Sequence, residues 1–579
     1  MKDFFYGGVH KKTNNSTWLE EEEDIRQTEE FRKNFDNASY KEKRRTLLAK
    51  EEAKEKGIEF VTPKHSPYDK KHKVKRKENL SFITRKYFPY MQNDSEEFIA
   101  KRNEIASANH ILYPTKIYIG QELLIPISEE EHQKTEKYYQ DRLIQADKDK
   151  SHLKMEIPAN TLKGADKEAQ EGKLLAEKHH LSLNVINAGA YKEKDVKEML
   201  LRNISKMLFI STHGNSIINK ETGDEVQGIS TKELTEKQEN RKENDGYLST
   251  DELNNLGVLN DIYLLFLNAC ATASKDINNQ STITKLFENN QVENVIGSYW
   301  NIDDDFTYQF AMAFIENLAK DKSMDVSKAL RTTQLQAIRE SKEAERLFNS
   351  HPKVIKAQKD KSNAQKAFDE TPFISDEQWN TISNNKRQTK KNLEIIKKKV
   401  SDEIAKKGRF YRAGYQRPYF WAAYQHLSKK YNKKDYTLKQ TIQDIDLNGV
   451  NAEQLQILQS KLESNEAIVD IRIPSEPDDK TQIYQAIIVT KKTYQKMDIG
   501  DKDEGVVLGN YIKSNKYNTF YNESYEKTWS KIDVILQKNK ISKIYIIAQE
   551  DYKNISFNAL FDYQNQVFLI EKYEIQSLF

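Results

Sequence analysis

Two apolar runs in this sequence each lead directly to a side chain that can do chemistry. Residues 207–210 are Met-Leu-Phe-Ile, and a Ser-Thr pair then leads to His213. Residues 263–268 are Tyr-Leu-Leu-Phe-Leu-Asn, and one alanine later comes Cys270, the only cysteine of the chain. Continuous apolar runs are typical of central strands in a parallel sheet, where ligands bind beyond the carboxyl ends of the strands. The sequence therefore predicts an imidazole and a thiol at one sheet edge.

The chemistry predicted for this pair is nucleophilic attack on a carbonyl carbon. A thiol with an ordinary pKa of about 8.5 is mostly protonated at neutral pH, and a neighbouring imidazole can accept its proton. The imidazole can later give that proton to the leaving amine. Gly214 permits close approach of the backbone, and its N–H, with that of Cys270, is predicted to bind the oxyanion. Taken singly, a cysteine is often a buried apolar filler and a His-Gly pair a turn. Their joint placement after two strands favours the catalytic interpretation.

The overall composition narrows the class of protein. The chain has 579 residues, of which 31% are charged, with a mean hydropathy of −0.85 and a formal net charge of +3. This length predicts several domains, and the balanced charge gives no indication of a nucleic-acid partner. A single cysteine excludes an intramolecular disulfide and a cysteine-built zinc site, and neither a metal nor another cofactor is predicted. Because the sequence has no leader-like or membrane-spanning apolar run, we expect a cytoplasmic protein without a membrane partner.

Shifts in composition divide the chain into five regions. The first is rich in charge and poor in apolar residues, which predicts charged helices and a basic disordered linker. A short region with an apolar pattern, a charged helical connector and two α/β regions follow, and the first α/β region has a Lys/Glu/Asn-rich helical insertion. The five regions are 1–79, 80–127, 128–156, 157–430 with the insertion at 341–408, and 431–579.

Residues 80–126 resemble a LysM module, most closely in their second half. A helix start at Asp94-Ser95 is followed by Asn109 and then by residues 117–126, Ile-Tyr-Ile-Gly-Gln-Glu-Leu-Leu-Ile-Pro, whose first three residues are predicted to form a short strand. LysM modules bind N-acetylglucosamine-containing glycans such as peptidoglycan, so the resemblance implies a glycan partner. The usual opening strand and its Gly-Asp pair are replaced by other residues. The alternative is therefore a small βααβ adaptor that binds no sugar.

Between residues 157 and 297, helix-like and strand-like segments alternate, which predicts a parallel sheet with crossover helices. Six segments occur in the order seen in CHAT domains, and the chain resembles this family of caspase- and separase-like cysteine peptidases. The resemblance implies an α/β, caspase-like fold with His213 as general base and Cys270 as nucleophile. The two are 57 residues apart, and caspase-type enzymes have their histidine about 50 residues upstream. The segments are 162–170, 208–215, 247–273, 292–318, 327–337 and 417–427.

The same resemblance implies a cysteine endopeptidase that cleaves a protein substrate through a thioester acyl-enzyme and is regulated by a protein partner. The insertion at 341–408 is a candidate regulatory element, or else a passive surface excursion. A second hypothesis, from another class, is a catalytically silent scaffold that uses the LysM-like module and a peptidase-like fold for binding.

Residues after the next predicted strand are candidates for substrate recognition. Trp300 is a candidate wall of the substrate groove. Asp303 and Asp304 are candidates for binding a Lys or Arg side chain before the cleaved bond. The alternative for at least one of the aspartates at 303–305 is an N-cap for the following helix, with Asp304 or Asp305 as the capping residue.

Residues 555–579 resemble the first half of a CHAT domain, although they stand at the end of the chain. Each half thus occurs once and in reversed order, which predicts a circular permutation. In that case the strands at 482–490 and 543–549 would join the sheet of the active site, and Phe579 would lie near 157–162. The alternative is a tandem whose second copy is truncated.

Overall fold

A computed structural model describes most of the chain from residue 38 onward. The described residues are 38–60, 65–113, 117–146, 163–202, 205–212, 214–218, 225–231, 247–257, 262–269, 272, 281, 292–298, 303–321, 323–370, 376–412, 415, 418–428, 438, 441–442, 445–472, 483–501, 525–548, 557–562 and 564–577. Among these residues, no helix combines the length and the apolar character that a bilayer crossing requires.

The fold is mixed α/β, as predicted. The helices are α1 (Ala38–Glu55), α2 (Leu80–Tyr87), α3 (Glu96–Ala108), α4 (Glu129–Ala146), α5 (Lys163–Lys178), α6 (Glu193–Leu201), α7 (Thr250–Asn255), α8 (Asp304–Lys320), α9 (Val326–Asn349), α10 (Pro352–Glu370), α11 (Asp376–Ala405), α12 (Pro418–Trp421), α13 (Ala452–Lys461), α14 (Ser530–Lys538) and α15 (Leu569–Lys572). The strands are β1 (Lys70–Lys73), β2 (Glu122–Ile125), β3 (Leu183–Asn187), β4 (Met207–Ser211), β5 (Gly214–Ile218), β6 (Glu225–Ser230), β7 (Tyr247–Ser249), β8 (Leu264–Asn268), β9 (Asn294–Ser298), β10 (Tyr424–Ser428), β11 (Glu466–Arg472), β12 (Ile483–Thr490), β13 (Tyr494–Asp501), β14 (Lys543–Ala548), β15 (Phe561–Asp562), β16 (Val567–Phe568) and β17 (Glu574–Ser577).

A small βααβ unit with its own hydrophobic core precedes the large sheets. β1 and β2 pair antiparallel, with Lys70 opposite Ile125, and α2 and α3 lie between them in sequence. Ser95 caps α3 at the predicted helix start, because its hydroxyl accepts a hydrogen bond from the N–H of Phe98. The buried core of the unit consists of Val74, Leu80, Phe82, Ile83, Phe88, Met91, Phe98, Ile105, Ala106, Ile111, Ile117, Leu123, Ile125 and Ile127.

Two features of this unit differ from the sequence prediction. β1 lies within the first region, 1–79, where the sequence predicts a charged arm and linker. Only one of its four residues, His72, is buried, and the other three are exposed lysines, so the strand has almost no apolar pattern. The strand predicted at 117–119 is absent, since the chain turns at Gly120 (φ +82) and β2 begins only after that turn.

The first large sheet has the strand order β10-β9-β8-β4-β3, with β3, β4, β8 and β9 parallel and β10 antiparallel to β9. This confirms the predicted parallel sheet. β4 and β8 are buried along their whole length, and their alternate residues face two different cores. On one face, Phe209 and Phe266 pack against each other and against Phe314 of α8. On the other, Leu208 and Leu265 join a core that includes buried residues of α6.

The C-terminal segment forms a second five-stranded sheet, with the order β13-β12-β11-β14-β17. The prediction that the strands at 482–490 and 543–549 join the active-site sheet is therefore wrong. β10 occupies the β9 edge of the first sheet, and β12 and β14 instead pair with β11. The two sheets are joined by packing, because inward residues of both belong to one hydrophobic core. Phe579 and residues 157–162 lie outside the described residues.

The last part of the chain packs beside the first sheet. The rings of Trp421 and Phe568 are 5.0 Å apart, and Nη2 of Arg331 on α9 donates a hydrogen bond to the carbonyl of Ile570 at 3.0 Å. A salt bridge of 2.8 Å joins Lys342 to Glu571 of α15. One core and these polar contacts thus connect the two halves.

The insertion at 341–408 is helical, as predicted. α10 and α11 form an antiparallel hairpin that stands on the end of α9, where Ala344, Val354, Val400 and Ile404 form a small buried cluster. Further along the pair, the ring of Phe368 in α10 lies 4.8 Å from the ring of Trp379 in α11.

A three-stranded antiparallel sheet, β5-β6-β7, follows β4. The sequence analysis does not predict β5 and β6. Their residues, Gly-Asn-Ser-Ile-Ile and Glu-Val-Gln-Gly-Ile-Ser, contain no continuous apolar run, and polar residues are common in strands that are not covered on both faces.

We expect Trp421→Ala to destabilise both sheets together. The Trp421 side chain is fully buried in the shared core, and large-to-small substitution of a buried aromatic residue costs roughly 3–5 kcal/mol. Urea unfolding, followed by far-UV circular dichroism, should give a markedly lower midpoint. The matched control is Trp379→Ala in the α10–α11 hairpin, which should move the midpoint much less. Equal effects of the two substitutions would contradict a shared core.

Candidate active site

The two strands that precede His213 and Cys270 are nearest neighbours in the sheet. β4 and β8 pair in parallel, and their last residues, Ser211 and Asn268, stand directly opposite each other. The N–H of Thr212 also donates a hydrogen bond of 3.4 Å to the carbonyl of Asn268. The two strands are thus neighbours, which is the condition for the imidazole and the thiol to meet at one sheet edge. His213 and Cys270 themselves lie outside the described residues, each two positions beyond this opposed pair in the sequence.

Residues on both sides of Cys270 are fixed to the next strand, β9. The hydroxyl of Ser298 donates to the carbonyl of Ala269 at 2.7 Å, and the N–H of Ser298 donates to Oγ1 of Thr272 at 3.1 Å. The Thr272 hydroxyl in turn donates to the carbonyl of Ala269 at 3.3 Å. All three residues are buried. A closed set of hydrogen bonds thus holds the chain directly before and shortly after the cysteine position.

A buried carboxyl group, Glu168 of α5, lies at the ends of β4 and β8. Its Oε2 accepts hydrogen bonds from Oγ of Ser211 at 3.1 Å and from Nδ2 of Asn268 at 2.7 Å. The residue is only 1% exposed, and its Oε1 has no hydrogen-bond partner among the described residues. Burial raises the pKa of Glu168 to about 8, and the nearby charge of Asp304 acts in the same direction. At neutral pH the group is therefore mainly uncharged.

Of the two residues whose N–H groups are predicted to bind an oxyanion, Gly214 is among the described residues and Cys270 is not. Gly214 is the first residue of β5. It pairs with Ile229 of β6 in the antiparallel sheet. The chain thus continues as a strand directly after the histidine position. The role of the Gly214 N–H in binding an oxyanion stays a prediction.

The acidic run that follows β9 begins α8, and each of its three aspartates has a structural partner. Asp303 is the N-cap, because its Oδ1 accepts a hydrogen bond of 2.9 Å from the N–H of Phe306. Oδ2 of Asp304 accepts from the N–H of Gly164 at 3.1 Å, and Asp305 binds the Tyr415 hydroxyl at 3.0 Å. A cap within the acidic run is confirmed, but it is Asp303 and not Asp304 or Asp305, because the helix already begins at Asp304. Binding of substrate by Asp303 or Asp304 stays a prediction, and Trp300 lies outside the described residues.

The approach of Gly164 to Asp304 is too close for any other residue at position 164. A Cβ atom added there would lie 2.5 Å from Oδ1 of Asp304 and 3.0 Å from its backbone oxygen. This contact joins the start of α5 to the start of α8 and so fixes the helix on which Glu168 stands.

A family model described as CHAT domain matches residues 95–429, which is more than half of the chain. The chain belongs to the CHAT domain family. The family implies a caspase-like, peptidase-type fold, in agreement with the mixed α/β architecture of the first sheet. No curated protein and no solved structure matches the chain. Groups of His, Cys, Asp and Glu side chains that could hold a metal ion are absent among the residues that the structure describes.

Glu168 is not among the functional residues predicted for this CHAT protein, although the sequence contains an indication of its importance. The buried face of α5 contains Ala165, Glu168, Gly172 and Leu175, at the spacing of one helix face. A carboxyl group on a face of otherwise small and apolar residues is expensive to bury and therefore needs partners. Its partners come from two distant strands, so the sequence alone does not identify them.

We expect Glu168 to make the stability of the protein depend on pH. A carboxyl group whose pKa is higher in the folded than in the unfolded state binds its proton more tightly when folded. That contribution is complete below the ordinary pKa of 4.5 and is lost as pH rises through about 8. Between pH 5 and pH 8, wild type should therefore lose more unfolding free energy than Glu168→Gln, which cannot ionise. Urea unfolding of both proteins at the two pH values measures this difference, and parallel losses would contradict it.

Proposed function

We propose that this chain is a cysteine endopeptidase in which His213 and Cys270 form the catalytic dyad. The observation that carries the proposal is the in-register pairing of β4 and β8, with Ser211 opposite Asn268. Neighbouring strands lie about 4.8 Å apart, and His213 and Cys270 each follow the opposed pair by two residues. This supports an imidazole and a thiol within reach of one another beyond the sheet edge. Membership of the CHAT family supports the same assignment.

In the proposed reaction, His213 accepts the thiol proton as the sulfur of Cys270 attacks the carbonyl carbon of the scissile peptide bond. The π electrons move onto the carbonyl oxygen, and the N–H groups of Gly214 and Cys270 stabilise the negative charge. The intermediate then expels the amine, which takes the proton from His213, and a thioester remains. A water molecule that gives a proton to His213 attacks the thioester. Collapse releases the carboxylic acid, and the proton returns to the sulfur.

Substrate recognition is assigned to residues that follow β9. We assign Trp300 to the wall of the substrate groove. Asp303 and Asp304 each have one carboxylate oxygen engaged in fixing the start of α8. Their remaining oxygens support a preference for Lys or Arg before the cleaved bond. From membership of the CHAT family, we also propose that the substrate is a protein and that a protein partner activates the enzyme.

The βααβ unit is firmly attached to the first sheet, which supports a regulatory role for it. Glu78 is buried and accepts hydrogen bonds from Nε2 of His72, at 2.9 Å, and from Oγ of Ser182, at 2.7 Å. Ser182 directly precedes β3, and its Oγ also accepts from the N–H of Lys206, which directly precedes β4. We propose that this unit is LysM-like and that glycan or partner binding to it bears on the sheet. The same attachment would serve a catalytically silent scaffold, which is the alternative function.

The arrangement of the two halves also supports a permuted CHAT domain. The C-terminal half packs on the first sheet through one common core, as one domain cut and rejoined elsewhere would. We therefore retain circular permutation as the proposal, with the second sheet as the displaced first half.

The decisive test of the proposed function is proteolysis by the full-length chain. We expect wild type to cleave a peptide library that contains basic residues, whereas Cys270→Ala should be inactive with an unchanged circular dichroism spectrum. Mass spectrometry of the products identifies the cleaved bond. His213→Ala should lose activity to a similar degree, because the thiol then lacks its base.

Cys270→Ser is the control that keeps the size of the side chain nearly unchanged while it replaces the thiol with a hydroxyl group. Turnover by Cys270→Ala equal to that of wild type would refute the peptidase assignment. Cleavage that prefers Asp before the bond would instead refute only the basic specificity.

A further inference from the structure

Glu168 connects the two strands that lead to the proposed dyad. Its Oε2 is shared by Ser211, the last residue of β4, and Asn268, the last residue of β8. The carboxyl group stands on α5 and so belongs to neither strand.

The backbone ladder weakens where this link occurs. Among the described residues, the last backbone bond between the two chains runs from the N–H of Thr212 to the carbonyl of Asn268, and it is long at 3.4 Å. The short 2.7 Å bond from Asn268 to Glu168 lies at the same level of the sheet.

The amide of Asn268 is held from both sides. Its Oδ1 accepts a hydrogen bond of 3.1 Å from the Tyr424 hydroxyl of β10, while its Nδ2 donates to Glu168. All three side chains are buried, so water does not replace a lost partner easily. The orientation of Asn268, two residues before the nucleophile, thus depends on the carboxyl group.

We propose that Glu168 is a positioning residue that holds the ends of β4 and β8 at the separation required for His213 to accept the proton of Cys270. The inference rests on the proposed function, since it concerns the same two residues. Glu168 touches neither of the reacting atoms in this assignment. It acts through Ser211 and Asn268.

The protonation of Glu168 supports a conservative test variant. Burial favours the neutral carboxyl group, and Asp304 of α8 is the charged neighbour that acts in the same direction. Because Oε2 accepts both hydrogen bonds, the proton of the neutral form belongs on Oε1. A glutamine has the same shape, with an oxygen that can accept both bonds and an NH2 group at the place of Oε1. Glu168→Gln therefore preserves the link, whereas Glu168→Ala removes it.

The experiment uses iodoacetamide as the probe, because the chain has one cysteine and alkylation reports on Cys270 alone. Alkylation rates of the full-length protein are followed by mass spectrometry between pH 5.5 and 9.5. We expect an apparent thiol pKa in wild type below the ordinary value of about 8.5. Glu168→Ala should raise it by about one unit and slow alkylation at pH 6.5 roughly tenfold, since only the thiolate reacts. Glu168→Gln should stay within about threefold of wild type.

Glu78→Ala is the matched structural control. Glu78 is a buried carboxyl group at the opposite end of the same sheet, with a hydrogen bond from Ser182. Its removal should lower the thermal midpoint and leave the thiol profile unchanged. A profile that shifts equally in Glu78→Ala and Glu168→Ala would reduce Glu168 to a purely structural role and overturn the proposal.

His213→Ala separates failure of this inference from failure of the proposed function. If His213→Ala raises the thiol pKa and Glu168→Ala does not, the dyad stands and the role of Glu168 is overturned. If His213→Ala leaves the profile of wild type unchanged, the dyad itself is refuted, and this inference with it. Should Glu168→Ala fail to fold, Ser211→Ala provides the test, because it removes one of the two bonds. An unchanged profile in Ser211→Ala would then overturn the proposal.

Discussion

The described structure depends on the burial of α8 in the hydrophobic core that the two sheets share. Ten of the 17 residues of this helix are buried, and its phenylalanines belong to the core that the inward faces of both sheets share. Burial of one such side chain contributes about 1.5–3 kcal/mol. Among the described residues no strand pairing joins the two sheets, so the apolar contacts of the shared core set their relative position. The start of the same helix, through Asp304 and Gly164, also fixes α5 and with it Glu168.

A buried carboxyl group lies at each end of the first sheet. At the amino ends of the strands, Glu78 joins the βααβ unit to Ser182. At the carboxyl ends, Glu168 joins Ser211 to Asn268. Each is expensive to bury and is compensated by hydrogen bonds from residues far apart in the sequence. A parallel sheet makes such hydrogen bonds possible, because its strand ends meet at two edges and helices cover both faces.

Much of the first sheet could be predicted from the sequence, because its strands are buried on both faces. The apolar runs of β4 and β8 and the periodic pattern of α8 indicate their structure without reference to other parts of the chain. The adjacency of the strands that precede His213 and Cys270 does not follow from these runs, because an apolar run indicates a buried strand and not its neighbour. By contrast, β1 and β5 are short and polar, and their pairing with β2 and β6 makes them strands. The prediction that β12 and β14 join the first sheet is wrong, because strand partners depend on which edges are already occupied, and β10, which follows the long helical insertion, occupies the β9 edge.

The α10–α11 hairpin has a mechanical consequence. α9 has 24 residues and is therefore a rod of about 36 Å, with the hairpin fixed to its far end by a small apolar cluster. Nearer its start, α9 contains Arg331, whose guanidinium donates a hydrogen bond to the carbonyl of Ile570 in the C-terminal half of the molecule. A helix of unbroken hydrogen bonds resists bending, so a sideways load on the hairpin acts as a torque on α9. Most residues of the α10–α11 hairpin are exposed, so such a load would reach the contact between Arg331 and Ile570 through a helix that is buried on one face along most of its length.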